Sequence, residues 1–205
     1  LSKEEARRLL EEVKALEYEG YAFEGAEASF YLLAHRLKGG SLPFSVEGFS
    51  VFVHGRGLST AWAEATVRVR VGESLQHTAA ESPFGPVSAL DRAFRKAVLQ
   101  FYPELSEVEL TDYKVRILSG QEAGTNSGVR VMVEMKRGEE RFATVGASEN
   151  ILEASLKALT DGYASTHADT NRYASTDSDT CFDASTLYSI GPMNELQSCS
   201  LCHVI

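Results

Sequence analysis

Cys199, Cys202 and His203 have the CxxCH spacing that attaches a c-type haem. Haem also needs a hydrophobic pocket, and this pentapeptide stands near the end of a Ser-, Thr-, Asp- and Ala-rich stretch with no apolar pattern, so it reads as composition. His35, His54 and His77 fall on one predicted helix and two predicted strands without HxH or HExxH spacing, and read as structural imidazoles. Glu24, Glu27 and Glu81 are available acids, but no nucleophile or base is spaced to work with them. GxSxG, Walker and GxGxxG patterns are absent from the sequence. What remains with chemical potential are two helix starts, after Gly85 and after Ala147, whose free N–H groups and partial positive charge suit a small carboxylate. The alternative is that caps and water satisfy those amides.

The elements that position these starts occur twice. Glu81–Tyr102 is echoed by Ala147–Tyr163, with SALDRAF (Ser88–Phe94) lying over EASLKAL (Glu153–Leu159). Pro86 suits a first helical turn and Ser148 an N-cap. Leu90, Phe94, Ala97, Val98 and Phe101 in the first copy, and Leu152, Leu156 and Leu159 in the second, recur at helical spacing, so each helix buries one stripe. Ahead of each helix a stretch alternates with period two, Ala65–Val71 and Val129–Met135, as a strand with one dry face does. A turn and a short strand follow each, Leu75–Ala79 and Arg141–Val145, and a further strand precedes each, Phe49–His54 and Tyr113–Leu118. The predicted unit is βββα, present twice in an α+β fold.

The 205 residues suffice for one compact domain with attachments, and the net charge of −9 argues against a polyanion as main partner. No apolar run approaches the ~18 residues of a membrane span and no secretory leader is visible, so the chain is expected to be cytoplasmic. Its start at Leu1, in helical sequence without Met, suggests a piece of something longer. Residues 1–40 predict two amphipathic helices: Ser2 and Glu5 form a capping box before the Ala6, Leu9, Leu10, Val13, Leu16 stripe, and Phe30, Leu33, Ala34 and Leu37 line the second helix. Two short helices make little core alone, and are expected to dock or connect. From Tyr163 a ten-residue period begins (YASTHADTNR, YASTDSDTCF, DASTLYSIGP), and 164–205 is expected to be a disordered tail. All three cysteines lie there, which leaves the folded part neither a disulfide framework nor a thiolate metal site.

Five separated stretches, LEYEGYAFEGAEASFYLL (Leu16–Leu33), EATVRVRVGESLQHTAAES (Glu64–Ser82), GPVSALDRAFRKAV (Gly85–Val98), LTDYKVRIL (Leu110–Leu118) and ATVGASENILEASLKAL (Ala143–Leu159), together resemble the C-terminal part of the citramalate synthase family, relatives of 2-isopropylmalate and homocitrate synthases. The resemblance covers about residues 1–163. It implies a helical linker (1–40) and a dimeric regulatory domain of two βββα units (45–163). It also implies a missing catalytic barrel that condenses acetyl-CoA with a 2-oxo acid at a divalent metal, so no cofactor and no catalytic residue are expected in this chain. The implied ligand is a branched-chain amino acid, isoleucine or leucine, acting as feedback inhibitor. By alignment of motifs, its pocket would take Leu90 and Asp91 from the helix start, Leu110, Tyr113 and Ile117 from one strand, and Thr125 and Val129 from the next loop and strand. Leu110, Ile117 and Val129 suit a branched side chain; Thr125 and the amides near Asn150 suit the carboxylate; Asp91 or Asp112 suits the ammonium. Where family members carry a Gly-rich, Asn-containing turn before GPV, this sequence has Ser82-Pro83-Phe84.

Two other classes fit parts of the pattern. A double-stranded-RNA-binding module also combines three strands with helices, but it needs a basic helix start and a Lys-rich cluster, which the acidic charge opposes. A self-contained enzyme would need the catalytic set that the residues do not supply.

Overall fold

The computed structural model describes residues 2–57, 59–118 and 127–174. The order is α1 (Lys3–Tyr18), α2 (Glu27–Leu37), β1 (Phe44–Arg56), β2 (Ser59–Val71), β3 (Ser74–Ser82), α3 (Pro86–Val98), a 3-10 turn (Pro103–Glu107), β4 (Val108–Ile117), β5 (Val129–Arg137), β6 (Glu140–Ser148) and α4 (Ile151–Ala174). Two antiparallel sheets result, ordered β1-β2-β3 and β4-β5-β6. The doubled βββα unit expected from the repeat is therefore present. β1 is longer than its apolar core suggested, because the ladder continues to Phe44, which pairs with Val71 across a bulge.

Alternation places Ala63, Ala65, Val67, Val69 and Val71 of β2 on one face, and Val131, Val133 and Met135 of β5 on the corresponding face of the second sheet, all buried. In each unit the helix lies over the second and third strands, α3 on β2 and β3, α4 on β5 and β6. The same bond fastens both. Thr78 of β3 donates to the Ala93 carbonyl of α3, and Thr144 of β6 donates to the Ala158 carbonyl of α4, each at 2.7 Å. The helices also meet one another, Phe94 stacking on Tyr163 at 5.4 Å, so one core joins the two units. Close approach at α4 depends on Gly146, where a Cβ would fall 2.2 Å from the Ala154 carbonyl oxygen.

This arrangement leaves the first strand of each unit half covered. Val51 and Val53 of β1 pair with Ala65 and Ala63, and Val115 and Ile117 of β4 pair with Val131 and Val129, so all four side chains share the helix-facing side. Neither helix reaches the far end of its strip: Val53 is 56% exposed and Ile117 68%.

The expected docking of the two N-terminal helices is seen on the opposite side of the second sheet. The Ser2–Glu5 capping box forms as read, Glu5 accepting from the Ser2 N–H at 2.7 Å. Leu9 and Val13 of α1 close with Phe23, Ala26, Leu33 and Ala34 over Val145, and Met132 packs at the edge of this second cluster. The Arg130 guanidinium donates to the carbonyls of Gly20 and Tyr21, tying the GYAFEG turn to β5. Strand β6 would otherwise offer an open edge; Ser29 of α2 covers it by accepting from the Val145 N–H at 3.0 Å.

The sequence reading of the C-terminal stretch needs one correction. α4 does not stop at Tyr163 but runs to Ala174, and Ala164, Ser165 and Thr166 are buried. A Ser/Thr-rich turn can be helical because its hydroxyls bond within the helix: Ser165 and Thr166 both donate to the Gly162 carbonyl. His167 packs on the Tyr102 ring at 4.3 Å and bonds Glu104. Small side chains make no apolar stripe in the sequence, yet they let a helix pack closely. The CxxCH segment lies outside the described residues.

Candidate functional site

Strand β4, beside one face of α4, carries Leu110, Tyr113 and Ile117 of the expected pocket, spaced along the length of the strand. The hydroxyl of Ser155 donates to the Ile151 carbonyl within α4, so the Tyr113 phenol, 2.6 Å away, is the donor in the Tyr113–Ser155 bond. Two helical turns on, at ~1.5 Å per residue, the same face of α4 carries Tyr163. Its hydroxyl donates to Asp91 of α3 at 2.6 Å and accepts from the Arg95 guanidinium at 3.1 Å. Arg95 also donates to the carbonyls of Val108 and Ser106, which fastens α3 to the start of β4. Burial pushes the Asp91 carboxyl up, against the opposing pull of the Tyr163 hydrogen bond and of Arg95 and Arg92. Burial likewise raises the Tyr163 phenol.

The apolar wall is the open strip of β4. Ile117 pairs with Val129, and Val129 with Ser148 just ahead of α4, so Ile117, Val129 and Asn150 lie at one end of the strip, with Ile151 exposed nearby. Tyr113 is in the middle and Leu110, 45% exposed, at the other end. A small amphiphile laid along this strip would meet branched aliphatic side chains and a phenol.

Other residues expected at the pocket are placed differently. Leu90 is fully buried in the core and offers no surface in this protomer. Asp112 alternates to the other face of the sheet from Tyr113 and forms an ion pair with Lys114 there, which with the Tyr113 N–H holds its carboxyl below the usual range. Asn150, rather than Ser148, stands at the start of α4: its side chain accepts from the Leu152 N–H at 2.9 Å, while Ser148 accepts from the Asn150 N–H at 3.1 Å. Amides near Asn150 are thus satisfied by the chain itself, and a bound carboxylate would have to exchange for these caps. Thr125 lies outside the described residues. The departing turn at Ser82 closes on itself, Ser82 bonding Ser88 at 2.9 Å and accepting from the Phe84 N–H.

Ser155, Tyr163, Arg95 and Val115 were not singled out from the sequence. Ser155 and Tyr163 share a helix face by their spacing, which is the one signal that could have found them. None of the chemically capable residues of the N-terminal half joins a catalytic set: Glu24, Glu27 and Glu81 are exposed, and His54 stacks on Trp62 at 4.1 Å. Among the described residues no three His, Cys, Asp or Glu side chains are grouped to hold a metal ion, and no helix is long and apolar enough to cross a membrane.

The two βββα units, joined through the Asp91–Tyr163–Arg95 network, each leave the inner face of their first strand partly open, as a domain that pairs with a second surface does. Residues 24–167 match the LeuA allosteric (dimerisation) domain, and the chain belongs to that family. It is 52% identical over 156 residues to an (R)-citramalate synthase of Geobacter sulfurreducens, covering 75% of this chain and 29% of that protein. It is 46% identical over 159 residues to the (R)-citramalate synthase of Aquifex aeolicus, covering 77% and 30%. For the (R)-citramalate synthase of Synechocystis the identity is 48% over 164 residues, covering 76% and 29%. The chain thus spans under a third of the length of these relatives.

Proposed function

We propose that this chain is the feedback-regulatory part of a citramalate synthase, a homodimeric domain that binds a branched-chain amino acid beside the dimer interface. The observation that carries this reading is the half-covered inner face of β4, where Tyr113, held by Ser155, stands among Leu110, Val115, Ile117 and Val129. Such a strip needs cover, and a second copy supplies it symmetrically to β1 and β4. An isoleucine at the Ile117 end of that seam would lay its side chain on Ile117 and Val129. Its carboxylate would exchange for the caps on the amides near Asn150, while Asp91, bonded to Tyr163 about 20 Å further along α4 at ~1.5 Å per residue, is out of reach of the same amino acid and serves the helix–helix network. A ligand in a seam between subunits couples its binding to their relative geometry, which is what control of a distant catalytic centre requires.

The condensation of acetyl-CoA with pyruvate, and the divalent metal that would assist it, belong in this reading to a barrel outside these residues, and the chain alone is expected to be inactive. Isoleucine is the effector expected for a citramalate-type enzyme; leucine would indicate the 2-isopropylmalate type. Titration calorimetry of the chain with isoleucine, leucine and valine, beside sedimentation of the free chain, tests the reading. Saturable heat with one of them and a dimer are expected. A monomer that binds none of the three would overturn it.

A further inference from the structure

Asp161 lies on the side of α4 turned to the linker, away from Tyr113. Its Oδ2 accepts from the Ser29 hydroxyl of α2 at 2.9 Å, and Ser29 in turn accepts from the Val145 N–H of β6. Its Oδ1 is 3.5 Å from the Arg36 guanidinium, also of α2. One carboxylate therefore ties the linker helix to both the strand edge and the helix of the second βββα unit. Besides Arg36, the charged or titratable groups turned towards it are Tyr21, whose phenol is pushed up by burial with a smaller push from Asp161, and Lys157 one turn back on α4, whose ammonium is engaged by Glu153 and the Ala147 carbonyl.

We propose that Asp161, Ser29 and Arg36 form a proton-linked clasp between the linker and the regulatory unit, tightened when Asp161 takes up a proton. The neutral carboxyl keeps an acceptor oxygen for Ser29, so protonation removes the charge without breaking that bond. What it forgoes is the attraction of Arg36, which is 48% exposed and not in close contact, hence well screened; what it relieves is desolvation of a side chain only 20% exposed. Desolvation wins: burial pushes the carboxyl up to about 6 from an ordinary 3.8, Arg36 and Ser29 pulling the other way.

The sign follows. A carboxyl raised on docking contributes stability that is complete below its free value and is lost as pH rises through about 6. Between about pH 7.5 and about pH 5 the folding equilibrium constant should gain about tenfold through this group. The clasp needs no amino-acid ligand, so it stands or falls separately from the effector reading.

The test uses the full chain without added ligand. Carbon-detected NMR should show the Asp161 carboxyl titrating near 6. Chemical denaturation of D161N should give a protein more stable than the parent at about pH 7.5, its advantage shrinking about tenfold towards about pH 5. Replacing Arg36 by Gln should move the NMR midpoint higher and increase amide exchange in α2 at the higher pH. A midpoint at or below about 4.5, or a D161N slope identical to the parent's, would overturn the clasp. If D161N does not fold, the midpoint in the parent and its movement in R36Q decide the question.

Discussion

Tyr113 and Ser155 are joined by a hydroxyl–hydroxyl bond of 2.6 Å in which Tyr113 must donate, because the Ser155 proton is already committed to the Ile151 carbonyl. The bond fixes the one aromatic ring on β4 against α4 and so sets the floor of the open strip. Removing the phenol oxygen leaves Ser155 satisfied as a donor, so Tyr113→Phe should cost only about 1 kcal/mol of stability. Urea unfolding measures this; a loss above ~3 kcal/mol would mean that the ring itself is displaced.

Ile117 separates the association reading from simple folding. At 68% exposed it contributes little to the protomer, so Ile117→Asp should change protomer stability by no more than about 0.5 kcal/mol. The same change puts a charge into an apolar seam. Sedimentation should show a monomer that no longer responds to isoleucine, and an intact dimer would remove the β4 strip from the interface.

If isoleucine is the effector proposed above, at about a hundredfold over its dissociation constant it should stabilise the chain by ~2.7 kcal/mol, since the seam exists only in the folded form. Changing Val129 to Asp should weaken that affinity at least about tenfold, because it sets a charge beneath the bound side chain. The control is Asp112→Asn, on the other face of the sheet, which should leave binding unchanged. Calorimetry of both variants checks the pair, and equal losses would contradict the assignment.

The turn of α4 directly after Tyr163 is part of the core. A chain ending at Tyr163 loses buried Ala164, Ser165 and Thr166 and the His167–Tyr102 contact, and should be about 1–3 kcal/mol less stable than one ending at Ala174. Thermal melts of the two truncations decide it, with equal midpoints counting against the packing.

Gly146 faces α4 with no room for a side chain: an added Cβ would meet the Ala154 carbonyl at 2.2 Å and the Ala158 nitrogen at 2.9 Å. Both are helix backbone and cannot step aside. Gly146→Ala should therefore cost about 1–3 kcal/mol by forcing β6 and α4 apart, with the Thr144–Ala158 bond lengthened. A neutral result in denaturant would show that the helix can slide.

What the sequence determined by itself is what local geometry dictates. Alternation in Ala65–Val71 and Val129–Met135 leaves only one way to turn a dry face inward, helical spacing from Leu90 to Val98 defines one buried stripe, and Ser2 with Glu5 marks a helix start within four residues. Repetition of those patterns was enough for the doubled unit, and five motifs in order were enough for the family. The tertiary structure decided the rest, because the deciding contacts join residues with no shared period. Tyr163 meets Asp91 across 72 residues and Ser29 meets Asp161 across 132, distances at which sequence spacing carries no geometric information. It also decided the fate of the AST stretch after Tyr163. Small polar side chains give no stripe to read, and whether they lie in water or in a closely packed helix depends on the surface they meet, here Tyr102 and Glu104. Asp112 and Asp91 look alike as partners for an ammonium until the Leu110–Asp112 bulge in β4 turns Asp112 to the far side of its sheet and the packing of α3 on α4 seats Asp91 against Tyr163.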